Sequence, residues 1–384
     1  MSKFYSLTKS VNSIPLKWYY DLNHFEKEQL KIFNKEWIYV CHENNLKESL
    51  SYLTIKVSKV DILILKDKLN VLKAYLNTCR HRGSVICPNQ NGKLKNNILI
   101  CPYHQWSYNA SDGKLLKTSS FKIPKNFKIS NYGLKKINIK IWNGLIFINL
   151  DKKIKWKIKN RFQDYNEIVN KLGIEKYEVA HRWKKIIKCN WKLFWENYSE
   201  CLHCPNIHPD LTKLVPVYGR RMVDIKDDPN WKKLKKIDHP KFQGGLRKGA
   251  ETWSFDGSAH GKKIKEVEQS KNFQGFIYIT TWPTMFLVIF IDHIRVVRIL
   301  PKTNSETEVS AEWLFPSDTL KDKNYKIKNV VDFSVKVMSE DSHACELNQQ
   351  GVYNPAYKTG ILMPEEYEIK RFHDWLRKKI KILK

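Results

Sequence analysis

The feature that most constrains this chain is a pair of short segments that each carry one cysteine and one histidine. Cys79 precedes His81 by two positions, and Cys101 precedes His104 by three. Structural zinc modules usually group like ligands, whereas each segment here supplies one thiolate and one imidazole. This mixed order favours a cluster of two irons, with both cysteines on one iron and both histidines on the other. The alternatives are a tetrahedral zinc site and four unrelated buried side chains.

A second group of metal-binding residue types lies in the segment 190–210. Glu200 and His203 are three positions apart and would share one face of a helix. Pro205 would end that helix, so that His208 could return to the same metal. Two histidines and one carboxylate form the facial triad that binds non-haem Fe(II) and leaves coordination positions open for O2. The two groups together predict more than a simple electron carrier.

The sequence around these residues resembles one known family. It reads NTCRHRG at 77–83, CPYHQW at 101–106 and ECLHC at 200–204. These motifs resemble the Rieske non-haem iron oxygenases, the α subunits of aromatic-ring-hydroxylating oxygenases, and the similarity extends from about residue 30 to about residue 375. Within that family, CRHRGS, NPAYKTG and EEYEIKRFHDWL look most similar to the subgroup of choline, glycine betaine and carnitine oxygenases.

The resemblance implies one [2Fe–2S] cluster and one mononuclear Fe(II) per chain. The ligands that it implies are Cys79, His81, Cys101 and His104 for the cluster, and His203, His208 and Asp341 for the iron. Asp341 fits an E-D-x-x-x-C-E-x-x-Q pattern on the predicted long C-terminal helix, and its neighbour Glu340 is the alternative, since adjacent helical residues point about 100° apart. Glu200 would act as a bridge that hydrogen-bonds His203 and reaches His104 of a neighbouring subunit.

The apolar pattern predicts an α+β protein. Residues 50–150 carry short apolar runs broken by Gly, Asn and Asp, which is typical of a small antiparallel β-domain. We therefore expect an N-terminal helical segment at 1–36, an all-β Rieske [2Fe–2S] domain at 37–150 and a catalytic mononuclear non-haem iron domain at 151–384. A helical pattern covers 16–38.

The C-terminal part combines strands with helices. Helices are predicted at 160–172, 191–203, 322–350 and 364–381, and strands at 273–300 and 306–315. Strands followed by a long helix fit the helix-grip (START-like) fold that the resemblance implies. Residues 220–265 are polar and rich in Lys, Gly and Asp, and they are predicted to form a long surface excursion.

The formal net charge of +29 raises the question of nucleic-acid binding. The 57 lysines are spread along the chain and arginines number only 11, whereas base and phosphate recognition favour arginine, so no nucleic-acid partner is predicted. A basic face could instead steer an acidic electron-transfer partner or an anionic substrate. The longest apolar run, Met285–Ile291, is far shorter than the about 20 residues of a membrane span, and a cytoplasmic protein without a membrane partner is expected.

Cysteines outside the cluster motif are expected to be structural. Without a secretory signal, a disulfide framework is not predicted. Cys201 and Cys204 are expected to form a small-residue helix face. The others are expected to be buried, small apolar residues: Cys41, Cys87, Cys189 and Cys345.

Aromatic residues on the predicted C-terminal sheet could line the substrate pocket. The candidates are Phe276, Tyr278, Trp282 and Phe286, with Thr280 and Phe290 beside them. These rings could surround a trimethylammonium group by cation–π attraction, or they could be ordinary core. The positive charge of the chain favours a betaine, which also carries a carboxylate, or an aromatic acid over a bare cation.

By resemblance, the chain is an oxygenase component that receives electrons from a separate NAD(P)H-dependent ferredoxin or flavin reductase and uses O2 to hydroxylate a small organic substrate. The expected substrate is a quaternary ammonium or betaine compound, changed by oxidative N-demethylation or C-hydroxylation. The alternatives are dioxygenation of an aromatic acid and Rieske electron transfer without oxygen chemistry. The resemblance also implies a homotrimer, in which the cluster of one chain supplies the iron of the next.

Overall fold

The computed structural model describes residues 7–151, 153–156, 166–223, 245–270, 273 and 275–381. These residues form two compact units. One contains the described residues of Phe33–Ile158, and the other those of Met1–Ile32 and Lys159–Lys384. The N-terminal residues therefore belong to the same unit as the C-terminal part of the chain.

Strands and helices are numbered in chain order over the described residues. The strands are β1 (Val11–Pro15), β2 (Ile38–His42), β3 (Ser51–Val57), β4 (Val60–Lys66), β5 (Leu72–Leu76), β6 (Asn91–Lys93), β7 (Ile98–Ile100), β8 (Ser107–Asn109), β9 (Leu115–Lys117), β10 (Asn138–Trp142), β11 (Leu145–Asn149), β12 (Glu178–Ile187), β13 (Ile277–Thr281), β14 (Met285–Ile289), β15 (Ile294–Pro301), β16 (Thr307–Phe315) and β17 (Thr359–Leu362). The α-helices are α1 (Leu22–Glu28), α2 (Asn166–Leu172), α3 (Trp191–Tyr198), α4 (Cys204–Ile207), α5 (Pro209–Leu214), α6 (Pro216–Gly219), α7 (Lys265–Glu268), α8 (Ser317–Lys321), α9 (Ile327–Val352) and α10 (Tyr367–Lys381).

The smaller unit is built from three antiparallel sheets. Their strand orders are β10-β11-β2, β5-β4-β3-β6 and β7-β8-β9. Apolar side chains that alternate along these short strands share one core, which includes Leu63, Leu65, Tyr75, Leu99 and Tyr108. The prediction of an all-β domain in this part of the chain is confirmed.

The larger unit contains a five-stranded antiparallel sheet of order β12-β16-β15-β14-β13. The 26-residue helix α9 follows the last of these strands in the chain and packs on α3. Tyr278, Val288, Arg295 and Trp313 pair in a row across four neighbouring strands. Directly paired residues of antiparallel strands point to the same face, so these four side chains share one face of the sheet. The predicted α+β class, with strands followed by a long helix, is confirmed.

The two ends of the chain meet within this larger unit. Strand β1 pairs antiparallel with β17, and Val11 stands opposite Leu362. Tyr19 donates a hydrogen bond to Glu196 of α3 at 2.8 Å, and His373 Nε2 lies 2.8 Å from the same carboxylate. Residues from both termini therefore hold the helix α3.

Several predicted elements differ from the structure. The helix expected at 191–203 ends at Tyr198, and the one expected at 16–38 is divided into a 3-10 helix, α1 and a π-helical turn. The helix expected at 160–172 is described only as α2, and its earlier residues lie outside the described residues. Within the described residues, no helix is both long and apolar enough to cross a membrane.

Candidate functional site

The two cysteine–histidine segments form loops at the ends of two strands in the smaller unit. Cys79 follows β5, and Cys101 follows β7 directly. The N–H of Cys79 donates to the carbonyl of Ser84 at 2.8 Å, and the N–H of Cys101 donates to the carbonyl of Trp106 at 2.9 Å. Gly83 has a φ of 81°, which glycine adopts without steric cost, and so allows the first loop to turn back tightly.

The sulfurs and the imidazoles of these loops lie at different depths. Cys79 and Cys101 are only 3% and 1% exposed, whereas His81 is exposed and His104 half-buried. The two imidazole centroids lie 4.8 Å apart. Two buried thiols and two imidazoles nearer the surface supply the donor set of a two-iron cluster with two cysteine and two histidine ligands.

Hydrogen-bond donors point at both sulfurs. The Tyr108 hydroxyl accepts a bond from the N–H of Arg80 and lies 3.1 Å from Cys79 Sγ, so that its own proton can go to the sulfur. Burial would raise the pKa of Cys101, but backbone N–H groups of Tyr103 and its neighbour bond the sulfur and lower this pKa overall. Donors to sulfur stabilise the thiolate form that a cluster requires.

His203, His208 and Asp341 lie together in the larger unit. Their ligand atoms are within 4.8 Å of one another, and they are the one group of at least three such side chains, among the described residues, that could hold a single ion. His208 Nε2 is 2.9 Å from Asp341 Oδ1, and His203 Nε2 is 3.5 Å from the same oxygen. The cysteine–histidine quartet forms no such group in the described part of the chain.

The one-turn helix α4 determines the positions of His203 and His208. Because α3 ends at Tyr198, His203 is the residue before α4, and His208 is the residue after it. Pro205 occupies the first turn of α4, where its missing N–H costs nothing. The backbone N–H of His208 donates to the carbonyl of Cys204 at 2.9 Å. Asp341 comes from the middle of α9, far away in the sequence.

Two further carboxylates hold the outer nitrogens of these imidazoles. His203 Nδ1 lies 2.5 Å from Glu200 Oε1, and His208 Nδ1 lies 2.8 Å from Glu340 Oε2. Each Nε2 is thereby directed at Asp341. This geometry favours Asp341 over Glu340 as the third ligand. Glu340 bonds His208 at Nδ1, on the opposite side of the ring from the Nε2 atom that faces Asp341.

The carboxylates around His203, His208 and Asp341 favour positive charge at this site. Burial alone would lower the pKa of His203, but Asp341 and Glu200 raise it to about 10. Burial would raise the pKa of Asp341, and its bonds to both imidazoles hold that pKa well below the usual range instead. Two imidazoles and one anionic carboxylate are the donor set of non-haem Fe(II) sites, so these residues fit such an ion.

An aromatic surface lies on the sheet face that carries the Tyr278 row. The Tyr198 ring of α3 stacks on Phe286 with centroids 4.0 Å apart, and its hydroxyl lies 3.2 Å from Thr280 Oγ1. Tyr218 donates a hydrogen bond to the Tyr278 hydroxyl at 3.2 Å. Tyr278 is half-buried, whereas its strand neighbours on the opposite face are buried, so the face that carries Tyr278 is the more accessible of the two.

The four predicted pocket residues do not all lie together. Phe276 and Tyr278 have ring centroids 5.4 Å apart, and Phe286 joins them through Tyr198. Trp282 instead packs against Phe372 and Trp375 of α10, at 5.5 and 5.6 Å. Trp282 comes after the end of β13 and so is not held by the strand alternation that aligns the others.

Residues 245–265 are packed into the unit, which corrects the predicted surface excursion. Trp253 is buried, and its ring lies 5.5 Å from Phe276 and 5.7 Å from Phe290. Asp292 anchors this segment, because Thr252 Oγ1 and the N–H of His260 each donate to it at 2.9 Å. Residues 224–244 of the predicted excursion lie outside the described residues.

Cys201 and Cys204 are joined by a disulfide, with Cα atoms 4.9 Å apart. The predictions of no disulfide and of a shared helix face are therefore both wrong. The reason is local: the chain leaves α3 before Cys201, and the turn into α4 brings the two residues together. The remaining six cysteines are buried and lie outside the disulfide, and the burial is as expected for Cys41, Cys87, Cys189 and Cys345.

Sequence reasoning alone did not single out Tyr198, Tyr218, Trp253 or Arg295. Tyr198 precedes the ECLHC motif by two residues, and this proximity could have drawn attention to it. Arg295 interrupts an apolar strand, which is the one sequence signal for a buried polar side chain. Tyr218 and Trp253 carry no such signal, because their position depends on distant segments.

Comparison with known proteins identifies the family. The family model of the ring hydroxylating alpha subunit (catalytic domain) matches residues 174–382, and that of the Rieske [2Fe-2S] domain matches residues 36–128. The glycine betaine monooxygenase oxygenase subunit of Pseudomonas aeruginosa is 28% identical over 383 residues, covering 94% of this chain and 88% of its own. The carnitine monooxygenase oxygenase subunit of Acinetobacter pittii is 31% identical over 207 residues, covering 53% of this chain and 55% of its own.

A solved structure shares the fold over nearly the whole length. The quaternary ammonium Rieske monooxygenase CntA matches with a TM-score of 0.74 at 22% identity, covering 97% of this chain and 96% of that one. The chain therefore belongs to the ring hydroxylating alpha subunits and is the oxygenase component of a Rieske non-haem iron enzyme, with a [2Fe–2S] cluster and a mononuclear iron as its cofactors.

Proposed function

We propose that this oxygenase acts on a quaternary ammonium compound of the betaine type and removes an N-methyl group by hydroxylation. The observation that carries the proposal is the aromatic surface of Tyr198, Tyr278 and Phe286 in the unit that holds the histidine–aspartate group. Aromatic faces attract quaternary ammonium ions. The relatives named for glycine betaine, carnitine and choline support the same substrate class.

The proposal gives each ligand residue a role. Cys79, His81, Cys101 and His104 would hold the cluster, and His203, His208 and Asp341 the iron. The bound cofactors supply single electrons and O2 activation. Glu340 holds His208 in one orientation, as Glu200 does for His203, and the aromatic surface excludes water from the substrate's methyl groups. We also propose functional domain boundaries at 37–150 and 151–384, preceded by the segment 1–36.

The assembly is part of the proposal. A separate NAD(P)H-dependent reductase would deliver electrons, since the relatives are named as oxygenase subunits. A homotrimer would place the cluster of one chain beside Glu200 of the next, and electrons would leave the cluster through His104. A solved structure of a quaternary ammonium Rieske monooxygenase gives insight into inter-subunit electron transfer in that protein, which supports such a route here.

The proposed hydroxylation of an N-methyl group predicts a measurable product. One oxygen atom of O2 would enter a C–H bond of an N-methyl group, and the other would leave as water after two electrons and two protons are supplied. The resulting carbinolamine breaks its C–N bond and gives formaldehyde and the tertiary amine. One formaldehyde should therefore appear for each O2 consumed.

The test is turnover by the iron-loaded oxygenase with a reductase and NADH. Glycine betaine, carnitine and choline would be compared with benzoate and salicylate, with O2 uptake and formaldehyde recorded together. We expect formaldehyde from at least one quaternary amine. A cis-diol from an aromatic acid, with no formaldehyde from any amine, would contradict the proposal and establish the ring dioxygenase. The match to the catalytic-domain family already excludes an electron carrier without oxygen chemistry.

A further inference from the structure

Arg295 is a buried cation on the aromatic face of the sheet. It stands in the row with Tyr278 on β13, Val288 on β14 and Trp313 on β16, so its side chain shares their face. Only 4% of the residue is exposed. A fully buried arginine in a strand made mainly of apolar residues is unusual, because burying a charge is costly unless the charge is paired.

The guanidinium of Arg295 lacks the partners that such burial requires. Its Nε and Nη1 are fully buried and have no hydrogen-bond partner in the part of the chain that the structure describes. Its contacts are with rings: the guanidinium carbon lies 5.4 Å from the Trp253 centroid and 5.9 Å from that of Phe290. Burial lowers the pKa of Arg295, yet arginine keeps its proton at any ordinary pH.

A second arginine on the same strand shows the contrast. Arg298 lies three positions further along β15 and therefore on the opposite face. Its Nη2 bonds the Glu308 carboxylate at 2.8 Å. Arg298 is therefore paired with a carboxylate on one face of the sheet. On the other face, which carries the candidate pocket, Arg295 has no carboxylate partner among the described residues.

Arg295 also lies near the histidine–aspartate group. Both its charge and that of Asp341 act on Tyr278, whose pKa burial raises to about 12. Tyr278 is therefore within electrostatic range of both the Arg295 cation and the candidate iron ligand Asp341. A short molecule over Tyr278 could reach toward both.

We infer that Arg295 binds the carboxylate of the substrate, so that the substrate is a zwitterion with a carboxylate at one end and a quaternary ammonium group at the other. This inference rests on the proposed function and narrows it. A carboxylate accepts two parallel bonds along one edge of the guanidinium fork, which gives one of the two buried nitrogens its missing partner. The methyl groups are then directed toward Asp341. Choline would leave the guanidinium unpaired and add a second cation beside it.

The test compares three ligands that separate the two ends of the substrate, and benzoate as a fourth that represents the aromatic acids. Glycine betaine carries both charges, choline only the cation and 3,3-dimethylbutanoate only the carboxylate. Dissociation constants would be measured by calorimetry on the iron-loaded, cluster-containing protein. The variants are Arg295→Met and, as matched control, Arg298→Met on the other face of the same strand.

Arg295→Met should weaken glycine betaine and 3,3-dimethylbutanoate by about 30-fold or more, because a charge-assisted bond is lost. Choline should change by less than about threefold, and Arg298→Met should leave all three ligands within that range. The melting temperature of the ligand-free protein should rise in Arg295→Met, since an unpaired buried charge is removed. A purely structural role through the Trp253 and Phe290 rings would lower it.

Other outcomes distinguish the assignment of Arg295 from the proposed quaternary amine substrate. Equal losses for all three ligands, or none for glycine betaine, would overturn the Arg295 assignment and leave the quaternary amine proposal standing. Arg295-dependent binding of benzoate, with no binding of either amine, would keep the carboxylate site and overturn the amine proposal. A wild-type protein that binds none of these four ligands contradicts both.

Discussion

The two candidate metal sites are built in opposite ways. The cluster residues, from Cys79 to His104, come from two loops close together in the sequence, and the sulfurs are held by backbone N–H groups and Tyr108. The iron residues come from a turn after α3 and from α9, and each imidazole is held by a carboxylate. The first site depends on local loop geometry, whereas the second depends on how distant helices pack. Substitutions should therefore separate them.

The largest separation is expected for Asp341→Ala. Removing the carboxylate that both Nε2 atoms face should abolish turnover, by more than about 1000-fold, which exceeds the 10–100-fold loss typical of an outer partner. Iron per chain should fall from about three to about two, with the two cluster sulfides retained. Metal and sulfide analysis of the purified variant checks this. Turnover close to that of the wild type would remove Asp341 from the site.

Cys101→Ser should produce the reciprocal result. The acid-labile sulfide and the visible absorption of the cluster should disappear, and reductase-driven turnover with them. Glycine betaine binding by the iron-loaded variant should change by less than about threefold, because none of the residues proposed to bind the substrate or the iron lies in the smaller unit. Cys87→Ser, at a buried free cysteine of the same unit, is the control and should keep the cluster. Loss of sulfide in the control alone would show that the ligand assignment is wrong.

A finer division is expected between Glu340→Gln and Glu200→Gln. Glu340→Gln should weaken iron binding by about 10- to 100-fold, since the amide oxygen can still accept the bond from His208 Nδ1 but carries no negative charge. Glu200→Gln should also slow electron transfer between subunits, seen in single-turnover reoxidation of the cluster with iron fully loaded. If both variants slowed that step equally at full iron occupancy, Glu200 would have no special place in the electron route.

The smallest effect is expected for Asp292→Asn, which affects the pocket and neither metal group. Burial would raise the pKa of Asp292, but His293 and the bonds from Thr252 and His260 lower it. A carboxyl whose pKa is lowered by folding stabilises above its unfolded pKa, near 3.9, and this contribution is lost as the pH falls below that value. The variant should be less stable by about 1–3 kcal/mol at pH 7 and show a shallower loss between pH 5 and 3 in denaturant titrations.

The same division explains what the sequence could predict. Cys79, His81, Cys101 and His104 are recognisable because spacing and loop type are local properties. The aromatic residues of β13 and β14 follow from strand alternation. The contact between Glu340 and His208 depends on how α9 is rotated about its axis. The position of Trp253 depends on the hydrogen bond between its neighbour Thr252 and Asp292. Neither follows from local pattern, since both depend on packing between segments far apart in the chain.

The pairing of β1 with β17 has a consequence for biosynthesis. Val11 is synthesised well before its partner Leu362, because about 350 residues separate them in the chain. The larger unit cannot pair β1 with β17 until Leu362 has been made. The smaller unit lies within Phe33–Ile158 and can fold while the rest is still being synthesised. The nascent protein can therefore complete its cluster-binding unit well before the unit that is to use the electrons exists.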